Sequence, residues 1–302
     1  MAKSDKPIYE LTQKQQDKMA FTEEENREQP LENDHWVISS YDSIHVRKMN
    51  IFEASVYTLR HRRGLYVFAF MFSFGIIFIV SLVIMLLHLT DPSRFTALGH
   101  LGKFGALSTI IAFFTSVAGV VLGATAGASD LSIGVLRNLV ATGRSRIALF
   151  ASGLLASVRV IFELMMVTLL AFGVASYFSR PNHSALTFSI MLRVDLWVIL
   201  DVLTWTIISF GIANLFSSRS IAIGVILVGD LVLGGILSSF SSYPGWRQAF
   251  VGVTLRQIMP AALQPGATTN RIETGWQAII VIVLWLGVAL FLGARRAQKR
   301  EL

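Results

Sequence analysis

Ionisable side chains lie inside long apolar runs of this sequence, where a charge is costly and marks an ion pair, a binding site or a transport path. Arg159 and Glu163 are four residues apart, a spacing that puts both on one face of a helix. They are interpreted either as an internal ion pair that stabilises packing or as residues beside a translocation path. Asp201 and Asp230 are the other candidates. Asp230 could bind a cationic substrate or pair with Arg159, and the residue types favour neither.

Several catalytic and cofactor-binding patterns are missing from the sequence. The chain has no cysteine, which excludes disulfides, thiolate zinc sites and a cysteine nucleophile. Its six histidines are scattered and form no His-Glu-x-x-His pair, so no metal site is predicted. No Gly-x-x-x-x-Gly-Lys-Ser/Thr run is present, and the nearest string, GHLGKFG at 99–105, lacks the required spacing. If ATP drives this protein, a separate chain must bind the nucleotide.

The composition shows that membrane-spanning elements must position these residues. Apolar residues make up 53% of the 302-residue chain and charged residues 15%, and the mean hydropathy is +0.60. Soluble domains usually carry about 25% charged residues. Nearly half of the charges fall within the first 64 residues, so a polar head precedes an apolar body. The net charge of +7 favours basic loops at membrane edges over a nucleic-acid surface.

Six runs are long and apolar enough to cross a membrane, each crossing needing about 20 residues. They cover residues 65–89, 104–127, 147–177, 194–216, 221–240 and 276–294. Their continuous hydrophobicity predicts helices rather than the alternating strands of a barrel. The fold prediction is therefore an all-α polytopic protein of the cell membrane. Lys and Arg are concentrated in the segments that are internal when the N-terminus is cytoplasmic, which predicts both termini in the cytoplasm.

Three features outside these runs complete the predicted architecture. Residues 46–60 follow an acidic, mobile tail at 1–45 and repeat apolar side chains every three or four positions, which predicts an interfacial helix on membrane lipid. Residues 129–142, between the second and third runs, predict a short cytoplasmic helix with an apolar stripe. The stretch 246–259 before the last run is apolar but too short to span, which predicts a re-entrant or interfacial helix on the outer face.

The order of these features resembles the ABC-2 type permease fold of type V ABC transporters over residues 46–300. Members of that family often carry an acidic residue, a glycine, spaced leucines and an Ala-Thr-Pro-x-Ser-Arg run after the second span. The corresponding residues here are Asp130, Gly134, Leu136, Leu139 and the run 141–146, with Gly143 in place of proline and Ser152 in place of a later lysine. Pro244, Trp246 and Pro260 resemble the outer-gate region of the family, at a rather long spacing.

This resemblance implies a non-catalytic permease subunit of an ATP-driven exporter, with no cofactor of its own. A separate ATPase subunit would bind ATP and Mg²⁺, and a second permease copy, identical or related, would complete the translocation path. The helix at 129–142 would be the coupling helix, and 46–60 would be an elbow helix that adds a second ATPase contact. The coupling contacts would come from Asp130, Leu131, Gly134, Leu136, Arg137, Leu139, Arg144 and Arg146.

Three functions compete. The coupling-helix pattern and the missing ATP site favour the exporter permease. The alternative is an ion-driven secondary transporter in which Glu163, Asp201 and Asp230 carry protons, although no repeat relates the first three spans to the last three. An intramembrane protease is excluded because the Gly-x-Ser-Gly and Gly-x-Gly-Asp motifs are absent. The apolar, phenylalanine-rich body favours an amphipathic drug, an antimicrobial peptide or a lipid-like compound as substrate.

Overall fold

The protein is built from α-helices, as its continuous apolar runs predict. A computed structural model describes residues 51–129, 145–179, 186–229, 236, 249–260, 263 and 275–299. These residues are helical apart from short turns, and none of them is in a strand. Five of the helices are long and apolar enough to cross a membrane, so the chain is a multi-pass membrane protein.

The described part of the chain contains the following helices. They are α1 (Ile51–His61), α2 (Arg63–Thr90), α3 (Leu101–Ser129), α4 (Arg146–Phe178), α5 (Phe188–Phe216), α6 (Arg219–Leu227), α7 (Val251–Gln257) and α8 (Gly275–Lys299). The five helices long enough to span are α2, α3, α4, α5 and α8. One π-helical turn, Met71–Gly75, interrupts α2.

Five of the six predicted spans correspond to a long helix, and each helix extends beyond the predicted run. The fourth begins at Phe188 instead of residue 194, and the last ends at Lys299 instead of residue 294. Hydropathy ends a run at the first charges, whereas backbone hydrogen bonding continues a helix into the interfacial region. The predicted fifth span, 221–240, is described mainly over α6.

Several other predictions lie outside the described residues. The tail 1–45 and the first residues of the interfacial helix, 46–50, are among them, and α1 is the described part of that helix. The single residues concerned are Asp130, Leu131, Gly134, Leu136, Arg137, Leu139, Arg144, Asp230, Pro244 and Trp246.

Helices α3 and α5 form the centre of the fold. In the most apolar stretch of each, 61% of the residues are buried within the chain, against 17% for α2 and 22% for α8. Gly119, Gly123 and Gly127 recur at every fourth position and give α3 a flat strip for close packing. A methyl group placed on Gly127 would lie 2.6 Å from the carbonyl oxygen of Phe210, and one on Gly123 would overlap the carbonyl oxygen of Thr206. The two backbones approach this closely only because the glycines have no side chain.

Helix α5 also packs closely against α8. A methyl group on Gly211 would lie 2.5 Å from the carbonyl oxygen of Ala289, and one on Gly293 would lie 2.9 Å from the carbonyl oxygen of Gly211. These contacts are near the C-terminal ends of both helices. Nearer their N-terminal ends, Trp197 of α5 and Trp285 of α8 both donate hydrogen bonds to the segment that contains α7. Helices α5 and α8 therefore run in the same direction.

The start of α4, the end of α8 and α1 lie on one side of the helix layer. Arg146, the first residue of α4, donates from Nη1 to the carbonyl oxygen of Gln298 at 3.2 Å. The hydroxyl of Ser55 on α1 donates to the hydroxyl of Ser152 on α4 at 3.2 Å. Because α2 begins directly after α1, its first residues lie on this side as well.

Candidate functional site

A cavity of about 120 Å³ lies between α3, α5, α6 and α7. Asp201 and Ser116 line it, and each lies near the midpoint of a 29-residue helix. At a rise of about 1.5 Å per residue, both are roughly 20 Å from either end of their helices. The cavity is therefore at the depth where a bilayer would be driest, and Asp201 brings a carboxyl group to that depth.

The carboxyl group of Asp201 is bound by a neighbouring helix. The hydroxyl of Ser116 on α3 donates to Oδ2 of Asp201 on α5 at 2.8 Å. A hydrogen bond to a carboxylate is stronger than one between neutral groups, so this bond offsets part of the cost of removing Asp201 from water. The same bond fixes the orientation of the carboxyl group toward α3.

Two tryptophans form apolar walls of the cavity. Trp197 lies four residues before Asp201 on α5 and Trp205 four residues after it, and both line the cavity. Each is only 7% exposed, so neither ring can turn freely away from the space. Phe113 of α3 adds a third aromatic side chain to the lining. The cavity thus combines one carboxyl group with aromatic surfaces.

Helix α7 closes one side of the cavity and is held in place by two indole groups. Trp197 donates from Nε1 to the carbonyl oxygen of Leu255 at 2.9 Å, and Trp285 donates from Nε1 to the carbonyl oxygen of Ala249 at 2.6 Å. With seven residues, α7 is about 10 Å long and cannot cross a bilayer. It lies beside Trp197, about 14 Å from the N-terminal end of α5. Arg256 lies on the face of α7 that lines the cavity, and its side chain is exposed.

The helix predicted over residues 246–259 is shorter in the part of it that the structure describes. It begins at Val251 and ends at Gln257, because the backbone of Phe250 is extended and ends the helix on its N-terminal side. Pro260, the described member of the predicted outer gate, follows α7 in a turn. Its carbonyl oxygen accepts a hydrogen bond from the backbone N–H of Leu263 at 2.9 Å.

Glu163 is bound by two arginines from different helices. Nε of Arg159 lies 3.0 Å from Oε1 of Glu163, and the guanidinium of Arg60 on α1 bonds to Oε2. The Arg159 guanidinium also lies 5.7 Å from the ring centroid of Phe52, a cation–π contact with α1. The spacing of Arg159 and Glu163 predicted their side chains on one face of α4, but Arg60 lies 103 residues from Glu163 and no local pattern connects them.

The ionic cluster of Arg60, Arg159 and Glu163 joins α1 to the middle of α4. Helix α4 has 33 residues and a length of about 50 Å, and Glu163 lies about 25 Å from its first residue. The three side chains are 33% to 56% exposed. Two arginines from different helices bind one carboxylate, which favours the packing interpretation of the pair over a role beside a translocation path.

Arg146 is the one predicted ATPase-contact residue among those the structure describes. It begins α4, directly after Ser145, whose hydroxyl caps the helix by accepting a hydrogen bond from the N–H of Ala148 at 3.2 Å. Its bond to the carbonyl oxygen of Gln298 ties the start of α4 to the end of α8. A cation is favourable there because the carbonyl groups at a helix C-terminus carry a partial negative charge.

Four features of the site were not singled out from the sequence. The glycine spacing of α3 is itself a packing signal. Trp197 carries an N–H that needs an acceptor within an apolar run, and Arg256 is a cation within a short apolar segment. Ser116 gave no signal, because serine is common in spanning helices.

The described residues include no group of three His, Asp or Glu side chains placed to hold a metal ion. The chain matches no protein-family model and no curated protein. Its function must therefore be inferred from its own residues. These provide a carboxyl group and aromatic walls around a space of molecular size, between two helices long enough to cross a membrane and two short ones.

Proposed function

We propose that this chain is the permease subunit of an ATP-driven exporter, coupled to a separate ATPase subunit and paired with a second permease copy. The observation that carries the proposal is the attachment of α1 to α4 through Ser55, Phe52 and Arg60. The resemblance to ABC-2 permeases implies an elbow helix before the first span, and α1 is the described part of that helix. Residues 130–144 connect α3 to α4, and a movement imposed on them would be transmitted to α3, which lines the cavity.

The directions of α5 and α8 support a six-span topology. Because the two helices run in parallel, the chain between Phe216 and Gly275 has to return across the membrane. The run 221–240 is apolar enough for that crossing, and α6 is its first part. Six crossings put both termini on one side of the cell membrane, and the distribution of Lys and Arg makes that side the cytoplasm.

The position of α7 supports an outer re-entrant segment. Trp197 and Trp285 hold α7 toward the N-terminal ends of α5 and α8, whereas Arg146 and Gln298 mark the opposite side. In the proposed topology α7 therefore enters from the outer face and covers the cavity from that side. A substrate would leave by displacement of α7 together with the turn at Pro260.

The experiment that tests this function has two parts. The first is purification of the tagged protein from its native membrane in mild detergent, with identification of its partners by mass spectrometry. We expect a stoichiometric chain that contains a Gly-x-x-x-x-Gly-Lys-Ser/Thr motif. If no such chain is found, even after crosslinking, the proposed function is wrong.

The second part is substitution of two leucines in the predicted coupling helix. Leu136→Asp with Leu139→Asp should uncouple ATP hydrolysis from transport, because it puts charges on the apolar stripe that would dock on the ATPase. Ala141→Asp is the matched control, since it adds a charge to the same predicted helix about 140° to 160° around the axis from the two leucines. Transport by the double variant at the level of the control would contradict the coupling role.

The alternative is an ion-driven secondary transporter, and one observation favours it. Asp201 lies at mid-membrane depth and lines a cavity, as a proton-carrying carboxyl group would. Transport that follows a pH gradient and persists without ATP would support this alternative. Loss of transport on depletion of ATP, with the pH gradient maintained, would rule it out.

A further inference from the structure

We propose that the cavity between α3, α5, α6 and α7 binds the alkylammonium head group of an amphipathic substrate. Asp201 is the counter-ion, and Trp197 and Trp205 are the aromatic walls. The inference rests on the proposed transport function in that it names the chemical class of the molecule carried. Binding itself requires neither ATP nor a partner chain and can be measured separately.

The size of the cavity fits a small head group. Its volume of about 120 Å³ is close to the roughly 150 Å³ of an engineered protein cavity that holds benzene. A trimethylammonium group with its first methylene, five heavy atoms in all, has a volume similar to that of benzene. The alkyl chain of such a molecule would extend from the cavity along apolar helix surface, which this protein has in abundance.

The carboxyl group that lines the cavity favours a cation. Asp201 contributes a carboxyl group at mid-membrane depth, where the attraction between opposite charges is only weakly screened. Its Oδ2 atom accepts the hydroxyl of Ser116, and Asp201 has a further interaction besides this bond, but the two oxygens of a carboxylate offer about four acceptor positions. A quaternary ammonium donates no hydrogen bond and needs only a nearby negative charge, so the geometry of the carboxyl group does not restrict it.

The aromatic walls strengthen this preference. Among aromatic side chains, tryptophan attracts a cation most strongly, and the attraction increases when water is excluded. The burial of Trp197 and Trp205 provides that exclusion. The bond from Trp197 to the carbonyl oxygen of Leu255 also fixes one wall in place, so that the site needs little reorganisation on binding.

The cavity is also lined by a cationic residue, Arg256, which can be compared with Asp201. It is the other charged residue in the described lining, and it would attract an anion. Its side chain is exposed, so water screens its charge more than that of the half-buried Asp201. An ammonium site and an anion site therefore predict opposite effects for substitutions at Asp201 and Arg256.

The test is a binding titration on the purified full-length protein in nanodiscs, with choline as the cationic probe. The uncharged 3,3-dimethylbutan-1-ol has the same shape and is the matched control ligand. We expect choline to bind more tightly than this alcohol by about tenfold or more. We expect Asp201→Asn to weaken choline binding by a similar factor, and Arg256→Gln to leave it unchanged or to tighten it. Equal binding of the two ligands, choline binding that Asp201→Asn leaves intact, or its loss in Arg256→Gln would overturn the proposal.

A second pair of variants keeps the test valid if Asp201→Asn does not fold, as judged by size-exclusion chromatography. Trp205→Phe retains an aromatic wall and Trp205→Leu does not, so choline binding should decrease more in the leucine variant. Equal binding by the two variants would contradict the aromatic site. Co-purification of an ATPase with no choline binding would refute this inference alone, whereas choline binding without any ATPase would refute only the exporter assignment.

Discussion

Substitution of Gly123 by alanine tests the central packing of the fold. Gly123 lies in the glycine strip of α3, and a methyl group there would overlap the backbone carbonyl oxygen of Thr206 on α5. A carbonyl group within a helix cannot rotate away, so the two helices would have to separate. Gly287 on α8 is the matched control, because no atom lies within 4 Å of a methyl group placed there.

The expected magnitude follows from two terms. Gly to Ala within a helix gains about 1 kcal/mol from the difference in helix propensity, and this gain applies to both variants. Overpacking costs about 1–3 kcal/mol, and it applies only at Gly123. The difference between Gly123→Ala and Gly287→Ala therefore isolates the overpacking term. We expect Gly123→Ala to have a free energy of unfolding lower than that of the control by about 2–3 kcal/mol, the upper part of the range, because the obstructing atom belongs to the backbone.

The measurement is reversible unfolding in mixed micelles with increasing SDS, followed by tryptophan fluorescence. Gly119→Ala provides an intermediate case, because the group that its methyl would overlap is the Thr206 hydroxyl, a side chain that can rotate. Rotation would break the bond of that hydroxyl to the carbonyl oxygen of Val202, at 2.8 Å, so some loss is still expected. If Gly123→Ala is as stable as Gly287→Ala, the close approach of α3 and α5 is wrong.

Two other substitutions test the attachments of α1 and α7. Glu163→Gln removes the carboxylate that two arginines share. Because these side chains are 33% to 56% exposed, the substitution should lower the free energy of unfolding by less than about 2 kcal/mol. The control is Glu53→Gln, at an exposed site on α1. A larger loss in the SDS titration would mean that the cluster lies in a dry interior. Trp197→Phe removes a hydrogen bond to α7, so amide hydrogen exchange in α7 should become faster, whereas Trp276→Phe on the exposed face of α8 should leave it unchanged. Equal exchange in these two variants would show that the indole does not hold α7.

The spanning helices could be predicted because a bilayer imposes one requirement on every crossing. Each must be apolar over about 20 residues and satisfy its own backbone hydrogen bonds. The ends of the helices could not be predicted in the same way. Arg193 lies inside α5, and Arg295 and Arg296 lie inside α8, because charged side chains near a membrane edge can reach water while the backbone stays helical.

The contacts between helices depend on information that a single sequence carries only in part. The spacing of Gly119, Gly123 and Gly127 identifies a packing strip, but nothing local to it identifies α5 as the partner. The same limit applies to Arg60, whose partner Glu163 lies on α4. Pairings over such distances in sequence follow from the assembly of the whole helix layer, which no helical periodicity encodes.

Glu163 and Asp201 look alike in the sequence, since each is a carboxyl group within an apolar run, yet the structure gives them different surroundings. Each lies near the midpoint of its helix, and hydropathy does not register which side chains of other helices surround it. Glu163 is bound by two arginines, whereas Asp201 is bound by Ser116 and lines a cavity. The two carboxyl groups should therefore respond differently to removal of their charge. Glu163→Gln should lower stability and leave choline binding unchanged, and Asp201→Asn should weaken choline binding more than stability.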